Sequence, residues 1–141
     1  MYGIYINCKA RPFVDYILVG AKPDETRSRN VFARIVGERV AIIETGKGCA
    51  AIRGYATIES CRTVFYDDVD ARKSAKIFGT PYDIKPGAKK IFYRLSDVVQ
   101  CKPYPVPCEK VNHGRSYTEF FDQGREYLYN PVHASESPGA G

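Results

Sequence analysis

The chain has 141 residues, 44% of them hydrophobic, which is the size and apolar content of one domain with one core. No segment approaches the ~18 consecutive apolar residues of a membrane-spanning helix, and Met1-Tyr-Gly-Ile-Tyr-Ile lacks the basic-then-apolar layout of a signal peptide, so a soluble, cytoplasmic protein with no membrane partner is expected. The formal charge of +5 sits mainly in the first half: residues 1–62 hold 10 Lys or Arg against 6 Asp or Glu, and residues 63–141 hold 11 against 10, a pattern open to a polyanionic partner and equally to simple solubility.

In chain order, Tyr2, Ile4, Ile6 and Cys8 alternate with smaller or polar residues and predict a half-buried first strand. Arg11 to Val19 shifts to helical spacing, with Phe13, Tyr16 and Ile17 on one side, and Gly20 and Pro23 end that helix. Residues 30–36 read either way. Gly37-Glu38 is a turn, Arg39–Thr45 a strand, Gly46-Lys-Gly48 a tight connection and Ala50–Cys61 a second strand of a hairpin, in which Gly54 marks a bulge or bend. Asp67 to Phe78 carries acidic residues first and basic residues later, as a helix dipole favours, with Gly79 as its stop. Thr80–Ala88 reads as a loop and Lys89–Gln100 as a strand, after which Pro103, Pro105 and Pro107 are expected to break regular structure. Ser116–Tyr129, rich in aromatics although it contains Gly124, predicts a last helix that packs on the rest or covers its mouth, and the tail from Pro131 a disordered end.

Mainly extended segments with a few short helices point to an α+β, mainly β fold. A small barrel fits better than a doubly wound sheet, because helical crossovers are too few for parallel βαβ units. Five cysteines (Cys8, Cys49, Cys61, Cys101, Cys108) without a C-x-x-C argue for reduced thiols, mostly in the core. Cys101, Cys108 and His113 match no zinc spacing and lack a fourth ligand, so no metal and no cofactor is expected.

The run Gly20-Ala-Lys22-Pro-Asp-Glu25-Thr-Arg27-Ser-Arg29 gathers cations around one carboxylate at a helix-to-strand junction. If residues 25–29 are extended, Glu25, Arg27 and Arg29 project from one face, with Lys22 at the strand's mouth. Arg forks can hold a phosphate bidentately or stack on a base, and Lys22 offers a compact charge. The same pattern also describes an ion-pair cluster in which Glu25 only neutralises Arg27 and Arg29 is solvated.

The spacing G-x-K-x-x-E-x-R at Gly20, Lys22, Glu25 and Arg27 resembles the signature of the ASCH domain, the activating-signal-cointegrator homology family of PUA-like proteins. The order of the flanking segments agrees: Tyr2–Cys8, Pro12–Val19, the signature, Gly37-Glu-Arg39 into Val40–Ile43, Gly54-Tyr-Ala-Thr-Ile58, then Ile91-Phe-Tyr-Arg-Leu95 and Asp97-Val-Val99. The resemblance spans residues 1–106. It implies a PUA-like β-barrel flanked by helices over residues 1–108; composition then sets 109–130 apart as an aromatic segment packed on it and 131–141 as a tail. It further implies a cleft between helix and barrel edge, lined by the signature, that takes RNA, another single-stranded nucleic acid, or a free nucleoside or nucleotide.

On that reading Lys22, Arg27 and Arg29 contact phosphate or base, with Glu25 orienting them. Base stacking on an aromatic contributes about 1–3 kcal/mol, and Tyr82, Tyr93 and Tyr117 are candidates, Tyr93 beside Arg94 foremost. The ordinary role of each such Tyr is that of a half-buried packing residue. His113-Gly-Arg115-Ser-Tyr117 is a second basic and aromatic locus, with Arg115 at the periphery of the site, or simply a loop before a helix. Some ASCH relatives are enzymes, either amidohydrolases of acetylated cytidine or ribonucleases. The amidohydrolase type uses a Lys, a Thr three residues later and a separate Glu. Here Glu25 occupies the Thr position, and Thr26, one step on, points to the opposite face of a strand. Lys22 and Glu25 are therefore the catalytic candidates of a hydrolase reading. A Lys base also needs its pKa brought down by burial or nearby cations; Arg27 and Arg29 push that way and Glu25 the other. Glu59 and Asp83 are unplaced acids, and a chain with two His, one of them His133 in the tail, offers little for ribonuclease chemistry.

Overall fold

A computed structural model of the chain describes residues 1–79, 83–107, 111 and 114–119. The elements are β1 (Tyr2–Asn7), α1 (Phe13–Leu18), β2 (Asp24–Arg27), a 3-10 turn (Ala33–Ile35), β3 (Arg39–Thr45), β4 (Ala51–Phe65), α2 (Val69–Phe78), β5 (Lys89–Pro105) and β6 (Tyr117–Glu119). The mainly β, α+β class is as expected. The strands form one sheet in the order β2-β5-β4-β3-β1-β6, with β1 parallel to β3 and the other pairings antiparallel.

The expected barrel is corrected to an open sheet, since no hydrogen-bonded ladder joins its two ends among the described residues. The ends nevertheless curl toward each other. A side chain from the β2 edge does what a ladder would do: Arg27 donates from Nη2 to the carbonyl of Tyr5 on β1 at 2.6 Å. The Phe32 and Tyr117 rings also meet edge to face at 6.1 Å across the same gap.

Both faces of the middle strands are covered, which is why β1 and β3 read as buried runs rather than clean alternation. Ile4, Ile6, Val40 and Ile42 face a core shared with Val14 and Ile17 of α1 and with Phe32, Ile58 and Tyr93. Tyr5, Ala41, Ile43, Ile52, Tyr55 and Cys101 build a smaller cluster on the other face. Under α2, Ala71 and Phe78 pack with Val64, Ile84 and Phe92, and the Tyr16 ring joins the two helices at 5.5 Å from Phe78.

The β3–β4 hairpin turns on Gly46 and Gly48, both at positive φ, as Gly-Lys-Gly predicts. Gly54 stands at a register shift of β4 against β5, the expected bulge. Two strands run beyond their expected ends, β4 to Phe65 instead of Cys61 and β5 to Pro105 instead of Gln100. β5 continues through Pro103 to Pro105 because there, among the described residues, it pairs only with Ala51 and Ile52 of β4, while β2 pairs with it along Ile91–Arg94; a proline missing its N–H is tolerated on such a one-sided stretch. The expected helix from Ser116 is replaced at its start by β6, whose Tyr117, Thr118 and Glu119 pair with β1. Half-buried Tyr117, on Ile4 in that ladder and against Tyr2 at 5.8 Å, gains more from the open edge of β1 than from an isolated helical turn. The remainder of that expected helix, and the tail from Pro131, lie outside the described residues.

The Asp68 side chain caps α2 by accepting from the Ala71 N–H at 2.8 Å. Replacing it in an Asp68→Ala variant is expected to cost about 1 kcal/mol, read as a lower urea midpoint at unchanged m-value. None of the helices among the described residues is long and apolar enough to cross a membrane.

Candidate functional site

The signature is fixed by the end of α1. Gly20 takes φ 81°, and the backbone N–H groups of Ala21 and Lys22 both donate to the Tyr16 carbonyl, at 2.9 and 3.0 Å, turning the chain back over the helix. The Lys22 side chain is thereby driven inward and is 1% exposed. Its Nζ donates to the Asp24 carbonyl at 2.6 Å and to Glu25 Oε1 at 2.9 Å, and lies 5.9 Å from the centre of the Phe13 ring. Leu95 N donates to the Pro23 carbonyl and docks the segment on β5.

Along β2 the side chains alternate. Asp24 meets Arg94 Nε at 2.9 Å and Arg62 Nη1 at 3.3 Å on one face. On the other, Glu25 Oε2 accepts from Arg27 Nε at 3.0 Å and Nη2 at 2.8 Å while Oε1 holds Lys22. The Arg27 guanidinium also lies 4.8 Å over the Phe32 ring. Burial alone would push the Glu25 carboxyl up. The charges and hydrogen bonds of Lys22 and Arg27 more than offset it and hold the pKa below its ordinary value. The three side chains form a buried ion triad of net charge +1, of which Arg27 keeps the most exposed side chain.

A cleft of about 870 Å³ opens over this triad. Glu25, Thr26, Arg27 and Ser28 form one wall, and Tyr5, Ile6 and Asn7 of β1 another. Arg11, Lys90 and Arg115 bring in three more cations, so among the described residues four Lys or Arg side chains line the cleft against the carboxylate of Glu25. Desolvation lowers the Lys90 pKa, with Asp83 acting the other way.

Of the residues expected in the site, Glu25, Arg27 and Arg115 line the cleft and Lys22 lies buried beside Glu25. Arg29 does not share their face, because β2 ends at Arg27 and the chain bends at Ser28 and Arg29; Arg29 is exposed, and its carbonyl accepts from Val31 N. Tyr93 is 0% exposed, so its ring offers no face to a base; its hydroxyl donates to Asn30 Oδ1 at 2.7 Å and accepts from Phe32 N at 3.3 Å. Burial raises its pKa, the Phe32 N–H opposing. Thr26 lines the cleft, so alternation does not remove it from the site as expected. Glu59 is exposed, while Tyr82, Cys108, His113 and His133 lie outside the described residues. Cys8 and Cys101 are buried, Cys49 and Cys61 exposed, and no group of His, Cys, Asp or Glu among the described residues could hold a metal. Arg11, Lys90 and Asp24 were not picked out by sequence. Asp24 stood inside the signature, but its partners Arg62 and Arg94 come only with the strand register.

No protein-family model matches the chain, and no curated protein matches it. Among solved structures, ASCH from Zymomonas mobilis is similar with a TM-score of 0.66 and 18% identity, over 90% of this chain and 93% of that one. Two single-substitution mutants of the Zymomonas mobilis protein are similar at a TM-score of 0.57, with 14% and 15% identity over 90% of this chain and 94% and 96% of theirs. Identities of this size speak for architecture, and they agree with the segment order read from the sequence: the chain has the ASCH-domain fold.

Proposed function

We propose that the cleft over the Lys22–Glu25–Arg27 triad binds RNA or a nucleotide. The observation that carries this reading is the cleft's own charge, among the described residues four cationic side chains against one carboxylate that is already paired within the triad. Arg27 is held in place by Glu25, the Tyr5 carbonyl and the Phe32 ring, which engage Nε and Nη2 and turn Nη1 to a phosphate, so little side-chain freedom is lost on binding. Lys22 sits beneath Glu25 and positions it, so the anion contacts fall to Arg27, Arg115, Lys90 and Arg11.

Fluorescence anisotropy with labelled single- and double-stranded RNA and DNA across a salt series tests the reading. Wild-type affinity is expected to fall with salt, and Arg115→Ala is expected to reduce the single-strand slope by about 0.7 while weakening all sequences alike. Salt-insensitive binding, or an Arg27→Ala/Arg115→Ala variant that binds as wild type does, would contradict it.

A second reading, hydrolysis of an acylated nucleoside, draws on Glu25, Thr26 and the neighbouring Lys22 gathering at one wall of the same cleft. Incubation with acetylcytidine separates the two. Cytidine release by wild type that disappears in Thr26→Val would favour hydrolysis, and no release from wild type would remove it.

A further inference from the structure

Gly79, which ends α2, lines not only the first cleft but a second one of about 510 Å³. Arg11 caps the ridge between them: its Nη1 donates to the Ile77 carbonyl at 2.8 Å, and its guanidinium lies against Gly79. Beyond the ridge, the second cleft is lined by Tyr66, Arg72 and Lys76, with Asp83 as its carboxylate. The Arg72 guanidinium sits 4.4 Å over the Tyr66 ring, and its Nε donates to the Tyr66 carbonyl at 3.1 Å. One face of the ring is thereby covered and its orientation fixed, while Tyr66 stays 39% exposed.

We propose that this second cleft is an extension subsite for single-stranded nucleic acid. The chain enters the first cleft, crosses the ridge at Arg11, and stacks a base on Tyr66 with its phosphates against Arg72 and Lys76. The inference rests on the nucleic-acid reading of the first cleft and narrows it from a nucleotide to a polymer. A mononucleotide brings one base and one phosphate group and is accommodated in the first cleft alone. Only a strand repeats base and phosphate in a way that uses a second, separate pairing of an aromatic with cations. Such a pairing tolerates any base, because every base has a stacking face.

The test uses the full chain and fluorescein-labelled oligouridylates from dinucleotide to dodecamer, with unlabelled UMP as competitor, over a salt series. Affinity is expected to rise with length. Tyr66→Ala should weaken the long oligomers about tenfold, and Tyr66→Phe, which keeps the ring, should restore them. Arg72→Ala/Lys76→Ala should lower the salt slope of the long oligomers by about 1.4. None of these variants should alter binding of UMP or the dinucleotide, and unchanged melting temperatures would exclude a folding defect. Oligomers that bind without length dependence, or long oligomers indifferent to the second-cleft variants, would overturn the extension and leave the first cleft standing. No binding of any length would overturn both.

Discussion

Glu25→Gln is expected to lower stability by about 3–5 kcal/mol, the usual cost of removing one partner of a buried ion pair. The amide keeps the shape but removes the negative charge between the Lys22 ammonium, whose side chain is 0% exposed, and the Arg27 guanidinium, which gives two hydrogen bonds to Glu25 Oε2. A Lys22→Met/Glu25→Leu double variant should recover much of the loss, because the desolvation cost disappears together with the attraction. The pH dependence has a fixed sign. The Glu25 pKa in the folded protein lies below its ordinary value of 4.5, so its contribution is fully present above that value and is lost as pH falls through the folded pKa. Urea denaturation from neutral pH to about pH 3 should show wild-type stability declining in the acid limb, with a shallower decline in Glu25→Gln. Equal acid limbs, or a loss below about 1 kcal/mol at neutral pH, would mean the triad is not the stabilising unit described.

Gly54→Ala is expected to cost about 3 kcal/mol or more, although it replaces a residue of low strand propensity with one that should do slightly better. A Cβ at this position would lie 2.4 Å from the Val99 carbonyl oxygen and 2.8 Å from Leu18 Cδ2. The oxygen belongs to the neighbouring strand and cannot swing aside, so either the bulge or the seat of α1 must shift. The midpoint of chemical denaturation should fall. Because α1 carries the turn that buries Lys22, any nucleic-acid binding should weaken with it. A neutral Gly54→Ala would show that β4 and β5 have slack at the bulge.

Much of the fold was legible in the sequence, for local physical reasons. The α1 stop at Gly20, the Gly-Lys-Gly hairpin and the stop of α2 at Gly79 each announce themselves through residues whose backbone preferences act within a few positions. What failed depended on partners distant in the chain. Pro103 and Pro105 break strands on average, but here they lie where β5, among the described residues, has a neighbour on one side only. Tyr117 belongs to an aromatic run that could have been helical, and the vacant edge of β1 decided otherwise.

The site divides the same way. The meeting of Lys22, Glu25 and Arg27 follows from their spacing, whereas the burial of Lys22 does not, because the turn onto Tyr16 sets it. Alternation placed Arg29 beside Arg27 only if the strand continued, and it stops. Tyr93, chosen for its neighbour Arg94, faces the core, while Arg94 on the opposite face holds Asp24. Arg11 and Lys90 reach the cleft through the curl of the sheet and the packing of α2, to which no local spacing gives access.

Chemical-shift mapping of the 15N-labelled protein with a short oligouridylate tests most directly whether the cleft over the triad is the binding site. The largest perturbations are expected at Thr26, Arg27, Ser28, Lys90, Gly114 and Arg115, and they should diminish as salt is raised. Perturbations confined to surfaces away from these residues, or none at low salt, would contradict it.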